Sequence, residues 1–165
     1  MLDAVAKAIG WGKTAPKGVH RGIAVADSYG SFTAAAVELS VENGTVIDVK
    51  RVIVAIDPGH IVHADAVKAQ LEGGVIWGLS SIMHEEITIK DGRVVQSNFS
   101  DYPVLHLAHT PKIEAIVMPT GGFWGGVGEP PIGGVIPALG NAIFSATGKR
   151  IRSMPLKNHG FSYKT

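Results

Sequence analysis

Asn43-Gly44 is the feature that most narrows what this chain can fold into. An Asn-Gly pair accepts the positive φ angles of a tight hairpin turn at little cost. It separates residues 31–41, rich in Ala, Val and Thr, from residues 45–57, which carry Val46, Ile47, Val49, Val52, Ile53, Val54 and Ile56. Runs this rich in β-branched residues favour strands. Tyr29-Gly30 supplies another turn and joins an alternating segment, residues 21–28, to the first run. Residues 21–57 therefore read as a three-stranded antiparallel meander.

Beyond the meander the period changes. Asp57-Pro58-Gly59 breaks the last strand, and a helix is expected over residues 64–83, with Ala66, Ala69, Gly73, Ile76 and Ser80 marking one face. Gly73 and Gly74 inside it cost about 1 kcal/mol each relative to Ala, so close approach of a backbone or a ligand is expected there. Asp91-Gly92 predicts a second hairpin over residues 86–96, and residues 113–118 a short strand. Pro137 suits the first turn of a helix running to Thr147 and closed by Gly148. Residues 151–156 read as a final strand, and residues 2–10 as an amphipathic helix before a linker. The fold class is α+β: a mixed or antiparallel sheet with two main helices packed on it. The organisation is an N-terminal helix and linker (1–18) followed by one domain (19–165).

Composition narrows function by exclusion. The 165 residues are 45% hydrophobic and only 18% charged, a surface poor in charge for a free monomer. A partly covered surface and a homodimer are therefore expected. A net charge of +1 gives no reason to expect nucleic acid or a membrane surface as partner. No apolar run is long enough to span a bilayer, and the N-terminus does not read as a signal peptide, so a cytoplasmic location is expected. A periplasmic location stays open for a complete enzyme. Cys is absent, which removes disulfides, thiolate nucleophiles and iron–sulfur ligation by this chain.

The chemistry concentrates in Gly125-Gly126-Val127-Gly128-Glu129-Pro130-Pro131. Flexible glycines precede one carboxylate, and Pro130 pushes Glu129 towards an extended conformation. A carboxylate fixed at a loop end suits a general base; a merely solvated turn is the alternative. Gln70 lies one turn before Gly73 and Gly74. Its amide donates and accepts at once, as a heterocycle requires, though an ordinary exposed glutamine fits equally. His60 with His63, and His106 with His109, have spacings that zinc sites use, but no Cys or carboxylate completes a set. Glu129 without a protein nucleophile suggests that a cofactor carries the hard step.

Four separated motifs resemble one family: Gln70-Leu71-Glu72-Gly73-Gly74-Val75-Ile76-Trp77-Gly78-Leu79, Asn98-Phe99-Ser100-Asp101-Tyr102, Gly126-Val127-Gly128-Glu129-Pro130, and Asn141-Ala142-Ile143 with Ala146-Thr147-Gly148. They are similar to the C-terminal end of the large subunit in the xanthine dehydrogenase/aldehyde oxidase family of molybdenum hydroxylases. The ending Ala146 to Leu156 looks most like the isoquinoline 1-oxidoreductase beta subunit.

The resemblance implies Glu129 as the active-site base, taking a proton from the water-derived oxygen that attacks a heterocycle or aldehyde. It implies Gln70 as a ligand of the molybdopterin, and Gly126, Val127 and Gly128 beside the metal's own ligands. No residue of this chain is expected to ligate the metal directly. The implied cofactor is molybdenum molybdopterin, as the cytosine dinucleotide, in a complete enzyme and not in this chain alone. The implied partners are the N-terminal remainder of the large subunit and a small iron–sulfur subunit. At His106 relatives of this type often carry Arg. Family large subunits are several times longer, so the chain is expected to be a fragment, inactive by itself. The alternative is a non-catalytic remnant that folds and self-associates without cofactor.

Overall fold

In a computed structural model that describes residues 1–164, the meander forms as β1 (Val19–Ser28), β2 (Ser31–Glu42) and β3 (Val46–Asp57), all antiparallel. Tyr29 and Gly30 turn the chain with φ of 54° and 72°, and Asn43 and Gly44 with 52° and 75°. A bulge between Glu38 and Leu39 shifts the register of β2 against β3.

The centre of this sheet is buried on both faces. Ala35, Val37, Leu39, Val52, Val54 and Ile56 point into the main core; Ala34, Ala36, Ile53 and Ala55 point the other way. A helix, α1 (Leu2–Ile9), covers the second face with Val5 and Ile9. Gly10 ends it in the left-handed region, donating its N–H to Ala6 and Lys7 carbonyls. Arg21 ties this corner together by donating to the Gly10 carbonyl (2.8 Å) and pairing with Glu38 (2.8 Å).

The main core lies under α2 (Ala64–Met83) and α3 (Pro130–Thr147). β4 (Ile89–Lys90) and β5 (Arg93–Val94) form a small exposed hairpin after α2. β6 (Lys112–Val117) then returns parallel to β3, so β3, α2 and β6 make a crossover unit within an otherwise antiparallel sheet. β7 (Ser162–Tyr163) also runs parallel to β3, at its opposite end. The architecture is the expected α+β class with a mixed sheet. Helix α3 rests directly on β1 because Gly22 has no side chain: a Cβ there would lie 2.1 Å from the Ala138 carbonyl oxygen.

Four expectations are corrected. The buried face of α2 is Val67, Leu71, Gly74, Val75, Gly78, Leu79, Ser80, Ile82 and Met83; of the expected face Ser80 is buried and Ile76 half-buried, whereas Ala66, Ala69 and Gly73 are exposed. Small residues resemble a packing stripe, but the position of the sheet and α3 decides which stripe is covered. Helix α3 begins at Pro130, not Pro137. Pro130 and Pro131 need no intrahelical N–H partner in the first turn, and Pro137 is accommodated inside the helix. Residues 151–156 are not a strand; Pro155 interrupts the segment, Leu156 is buried, and pairing occurs later, at Ser162–Tyr163. Glu129 is helical, with φ −104° and ψ −23°, because its carbonyl accepts the Ile132 N–H (3.0 Å) in the first turn of α3.

Candidate functional site

Three connections converge at the carboxyl end of β3. They are the β1–β2 turn at Tyr29-Gly30, the segment after Asp57, and the glycine-rich loop that enters α3. Their contacts are largely backbone to backbone. Gly125 N–H donates to the Pro58 carbonyl (2.9 Å), Gly126 N–H to the Tyr29 carbonyl (2.9 Å), and Gly121 N–H to the Gly59 carbonyl (2.7 Å). The Ser31 hydroxyl donates to the Gly126 carbonyl (2.6 Å) and the Thr33 hydroxyl to the Pro130 carbonyl (3.2 Å).

Such proximity dictates residue type. A Cβ on Gly125 would stand 2.1 Å from the Ser31 hydroxyl, and one on Gly59 2.1 Å from the Phe123 carbonyl oxygen. Asp57 adds a side-chain brace: its carboxylate accepts from Gly59 N–H (2.9 Å), Thr120 N–H (3.2 Å) and the Thr120 hydroxyl (3.1 Å). Partial burial would raise its pKa, but these donors outweigh burial and hold it below the ordinary aspartate value.

The loop holds the sequence-derived candidates in one place. Val127 packs, half-buried, against the main core, Gly128 is exposed, and the Tyr29 side chain lies over Gly126. Glu129 follows at the N-cap of α3, exposed and with its side chain making no cap bond. Gln70, on the outer face of α2, reaches the same place: its side-chain oxygen lies 3.7 Å from where a Gly128 Cβ would stand. Gly74, beside it on α2, packs against Pro131 and approaches the Gly128 carbonyl oxygen. Of the two mid-helix glycines, Gly74 thus has the expected close contact, and Gly73 faces open space with nothing within 4 Å of a Cβ.

Several residues at this edge, His60 apart, carried no functional reading in the sequence. Tyr29 is exposed and stands beside Glu129, whose carboxylate raises the phenol's pKa, by hydrogen bonding first and by charge second. His60 and Trp124 rings meet at 4.3 Å between centroids. Phe123, Trp124, Tyr29 and Val62, on the three converging connections, are exposed apolar residues. The signal for Tyr29 was present: a tyrosine precedes a turn glycine, where the backbone needs positive φ.

The histidine pairs do not join a metal set. His63 caps α2, its Nδ1 accepting from Ala66 N–H (3.1 Å). His106 and His109 lie 6.0 Å apart at the opposite end of the sheet, with His109 against Tyr163. Among the described residues no group of three His, Asp or Glu could hold a metal ion. In the Asn98–Tyr102 motif, Asn98 caps a short 3-10 turn, Asp101 accepts from Ser97, and the Tyr102 hydroxyl donates to Glu85 (3.1 Å). No described helix is long and apolar enough to cross a membrane.

The residues at the loop fit a large polar cofactor on one side only. Exposed backbone at Gly128, open space over Gly73, and a Gln70 amide with no hydrogen-bond partner among the described residues make one wall of a site, while Tyr29 covers Gly126. A buried ligand needs further walls.

Comparison with known proteins identifies the chain's family. The molybdopterin cofactor-binding domain family matches residues 10–111. A membrane-bound aldehyde dehydrogenase (pyrroloquinoline-quinone) of Gluconacetobacter polyoxogenes is 34% identical, over 90% of this chain and 20% of its own. The isoquinoline 1-oxidoreductase beta subunit of Brevundimonas diminuta is 35% identical, over 82% of this chain and 18% of its own. Among solved structures, the Cu,Mo-CO dehydrogenase in its carbon monoxide-reduced state superposes with a TM-score of 0.66 and 26% identity, covering 76% of this chain and 17% of that one. The chain thus spans about a fifth or less of the length of these relatives.

Proposed function

Because this chain belongs to the molybdopterin cofactor-binding domain family of the molybdenum hydroxylases, we propose that it is the C-terminal part of a large subunit. The complete enzyme would oxidise an N-heterocycle or an aldehyde with water as the oxygen source. The observation that carries this reading is the loop itself. Backbone contacts from β1–β2 and β3 hold its glycines, and it delivers Glu129 to the edge where the unbonded Gln70 amide lies.

In this reading each residue has a separate task. The Gln70 amide donates to and accepts from the pterin, and the backbone of Gly126, Val127 and Gly128 lets the cofactor's metal end approach closely. When bound, the molybdenum cofactor supplies the acceptor for the two electrons of substrate oxidation. Glu129 accepts the proton lost by water as its oxygen bonds to the substrate carbon. The exposed apolar residues Phe123, Trp124 and Val62 receive the flat face of a heterocycle or the apolar body of an aldehyde. The cytosine dinucleotide form of the pterin, the N-terminal remainder of the subunit and a small iron–sulfur subunit complete the proposed enzyme.

The chain alone supplies one wall, so it is proposed to be inactive without the rest. The test is molybdenum quantification and chromatographic identification of the released cofactor, on the chain alone and on the chain co-expressed with the missing portion. Molybdenum and an oxidised pterin only in the co-expressed complex support the proposal. Stoichiometric metal in the 165-residue chain, or a quinone in place of the pterin, overturns it. A second reading, a non-catalytic remnant, rests on the small share of the relatives' length that the chain covers. A complex without cofactor, but with an intact fold, would favour that reading.

A further inference from the structure

Residues 130–165 carry five Lys and Arg residues and no Asp or Glu. Lys157 pairs with Glu86, and Lys164 with Glu42 and Asp48. Among the described residues, Lys149, Arg150 and Arg152 form no ion pair. Arg150 is nevertheless held in place. Its guanidinium carbon lies 3.5 Å from the centre of the Phe144 ring, a cation–π contact. Its Nη1 donates to the Asn141 side-chain oxygen (3.1 Å), and the Asn141 amide donates to the Ile23 carbonyl of β1 (3.0 Å). A guanidinium presents a planar fork of N–H donors, and the bond to Asn141 occupies one of them.

Arg150 and Asn141 both line a cavity of about 380 Å³ between the middle of α3 and residues 150–154. That volume falls within the range of small-ligand sites. The cavity lies about 16 Å along α3 from the Glu129 cap, at 1.5 Å per residue. Arg152 adds a second positive charge to its lining, and Ile136, Ile151 and Met154 give it an apolar surface. Gly140 lines it too, and nothing stands within 4 Å of where a Gly140 Cβ would be. Glycine inside a helix is less favourable than alanine. Elsewhere in α3 packing accounts for it: Gly133 approaches Ala26, and Gly134 approaches Ala35. At Gly140 no neighbouring side chain does, and the effect of the missing methyl is to keep the cavity open.

We propose that this cavity binds a small carboxylate carried on an apolar body, with the carboxylate paired to the Arg150 guanidinium. The planar fork matches a carboxylate through two parallel hydrogen bonds. Phe144 and Asn141 hold the fork before the ligand arrives, so little side-chain freedom is lost on binding. Gly140 leaves room for the apolar body against Ile136 and Ile151. The site is separate from the loop at Glu129, and it stands or falls independently of the cofactor-binding reading.

NMR titrations of the 165-residue chain test it, with benzoate, benzamide and inorganic phosphate as probes. Benzoate shifts the methyl signals of Ile136, Ile151 and Met154 to saturation. Benzamide keeps the ring without the charge, phosphate keeps a charge without the ring, and each binds about ten-fold more weakly or less. Arg150→Gln weakens benzoate about ten-fold or more. Phe144→Leu leaves the charge but removes the ring that holds it, and weakens benzoate several-fold. Gly140→Ala puts a methyl into the cavity: it raises the melting temperature yet weakens benzoate, which excludes misfolding as the cause. Benzoate shifts that never saturate overturn the proposal. Benzamide or phosphate binding as tightly as benzoate overturns it as well. Benzoate affinity that survives both Arg150→Gln and Gly140→Ala overturns the assignment to this cavity.

Discussion

The Ser31 hydroxyl, wholly buried at the start of β2, donates a 2.6 Å hydrogen bond to the carbonyl of Gly126 in the loop that precedes α3. This bond fastens a hairpin turn to the backbone beside Glu129. Ser31→Ala leaves that carbonyl without its donor and is expected to cost about 1–2 kcal/mol, read as a lower denaturation midpoint at unchanged slope. Thr33→Val, which removes the donor to Pro130, should cost a similar amount. A wild-type midpoint in both variants would mean that the loop is held by its glycine contacts alone.

Glycine substitutions should divide sharply by contact. Gly73→Ala meets nothing within 4 Å on an exposed helix face and should stabilise the isolated chain by about 0.5–1 kcal/mol. Gly125→Ala drives a methyl to 2.1 Å from the Ser31 hydroxyl and 2.6 Å from the Gly30 carbonyl oxygen, and should cost about 3 kcal/mol or prevent folding. In the complete enzyme the sign at Gly73 should reverse in function: Gly73→Ala lowers cofactor occupancy despite the stabler domain. Thermal melts beside cofactor content separate the two effects.

Acid should weaken the fold in two windows. Burial first, then repulsion from Lys157, His109 and His106, hold the His84 pKa below its ordinary value. A folded-state pKa below the unfolded one means that the unfolded chain binds the proton first, so stability falls as pH drops below about 6.5. Asp57 is also held below its ordinary value, so its contribution is present above about pH 4 and lost as pH falls through the lower folded pKa. His84→Gln should flatten the upper window and Asp57→Asn the lower one, in chemical denaturation repeated across pH. Unchanged slopes in both variants would assign the acid sensitivity elsewhere.

The meander and the start of α2 were legible because local chemistry decides them: Asn43-Gly44 and Tyr29-Gly30 permit few other turns, and β-branched runs permit few other elements. The buried face of α2 was misread: small size singles out Ala66, Ala69 and Gly73, although the larger Val67, Leu71, Val75, Leu79 and Ile82 recur at helical spacing and are the ones the sheet and α3 cover. The start of α3 was misread at Pro137 because a proline fits either the first turn or, less often, the interior. Glu129 and Gln70 could be named from their motifs, but the approach of Gln70 to Gly128 goes with Gly74 packing against Pro131, a contact between separate helices. Tyr29 was legible as a turn residue, but its packing over Gly126 was not, because that contact joins distant parts of the chain.

Glu129 and Gln70 should fail in different ways in the complete enzyme. Glu129→Gln keeps the shape of the side chain but cannot accept a proton. General-base catalysis contributes about 10²–10⁴-fold, so turnover should fall by at least that order with molybdenum and pterin content near normal. Gln70→Ala removes hydrogen bonds that position the cofactor, so occupancy should fall first, and activity per bound molybdenum should stay closer to wild type. Because Glu129 is exposed and makes no cap bond, its amide variant should keep the wild-type melting temperature, which excludes misfolding as the cause of lost turnover. Measuring kcat per molybdenum, cofactor content and melting temperature on the same preparations separates the cases. Near-normal turnover in Glu129→Gln at full occupancy would make the carboxylate a solvated loop residue. Loss of thermal stability alone in both variants would make the loop a packing element, with the pinning by Ser31 and Asp57 serving the fold and nothing beyond it.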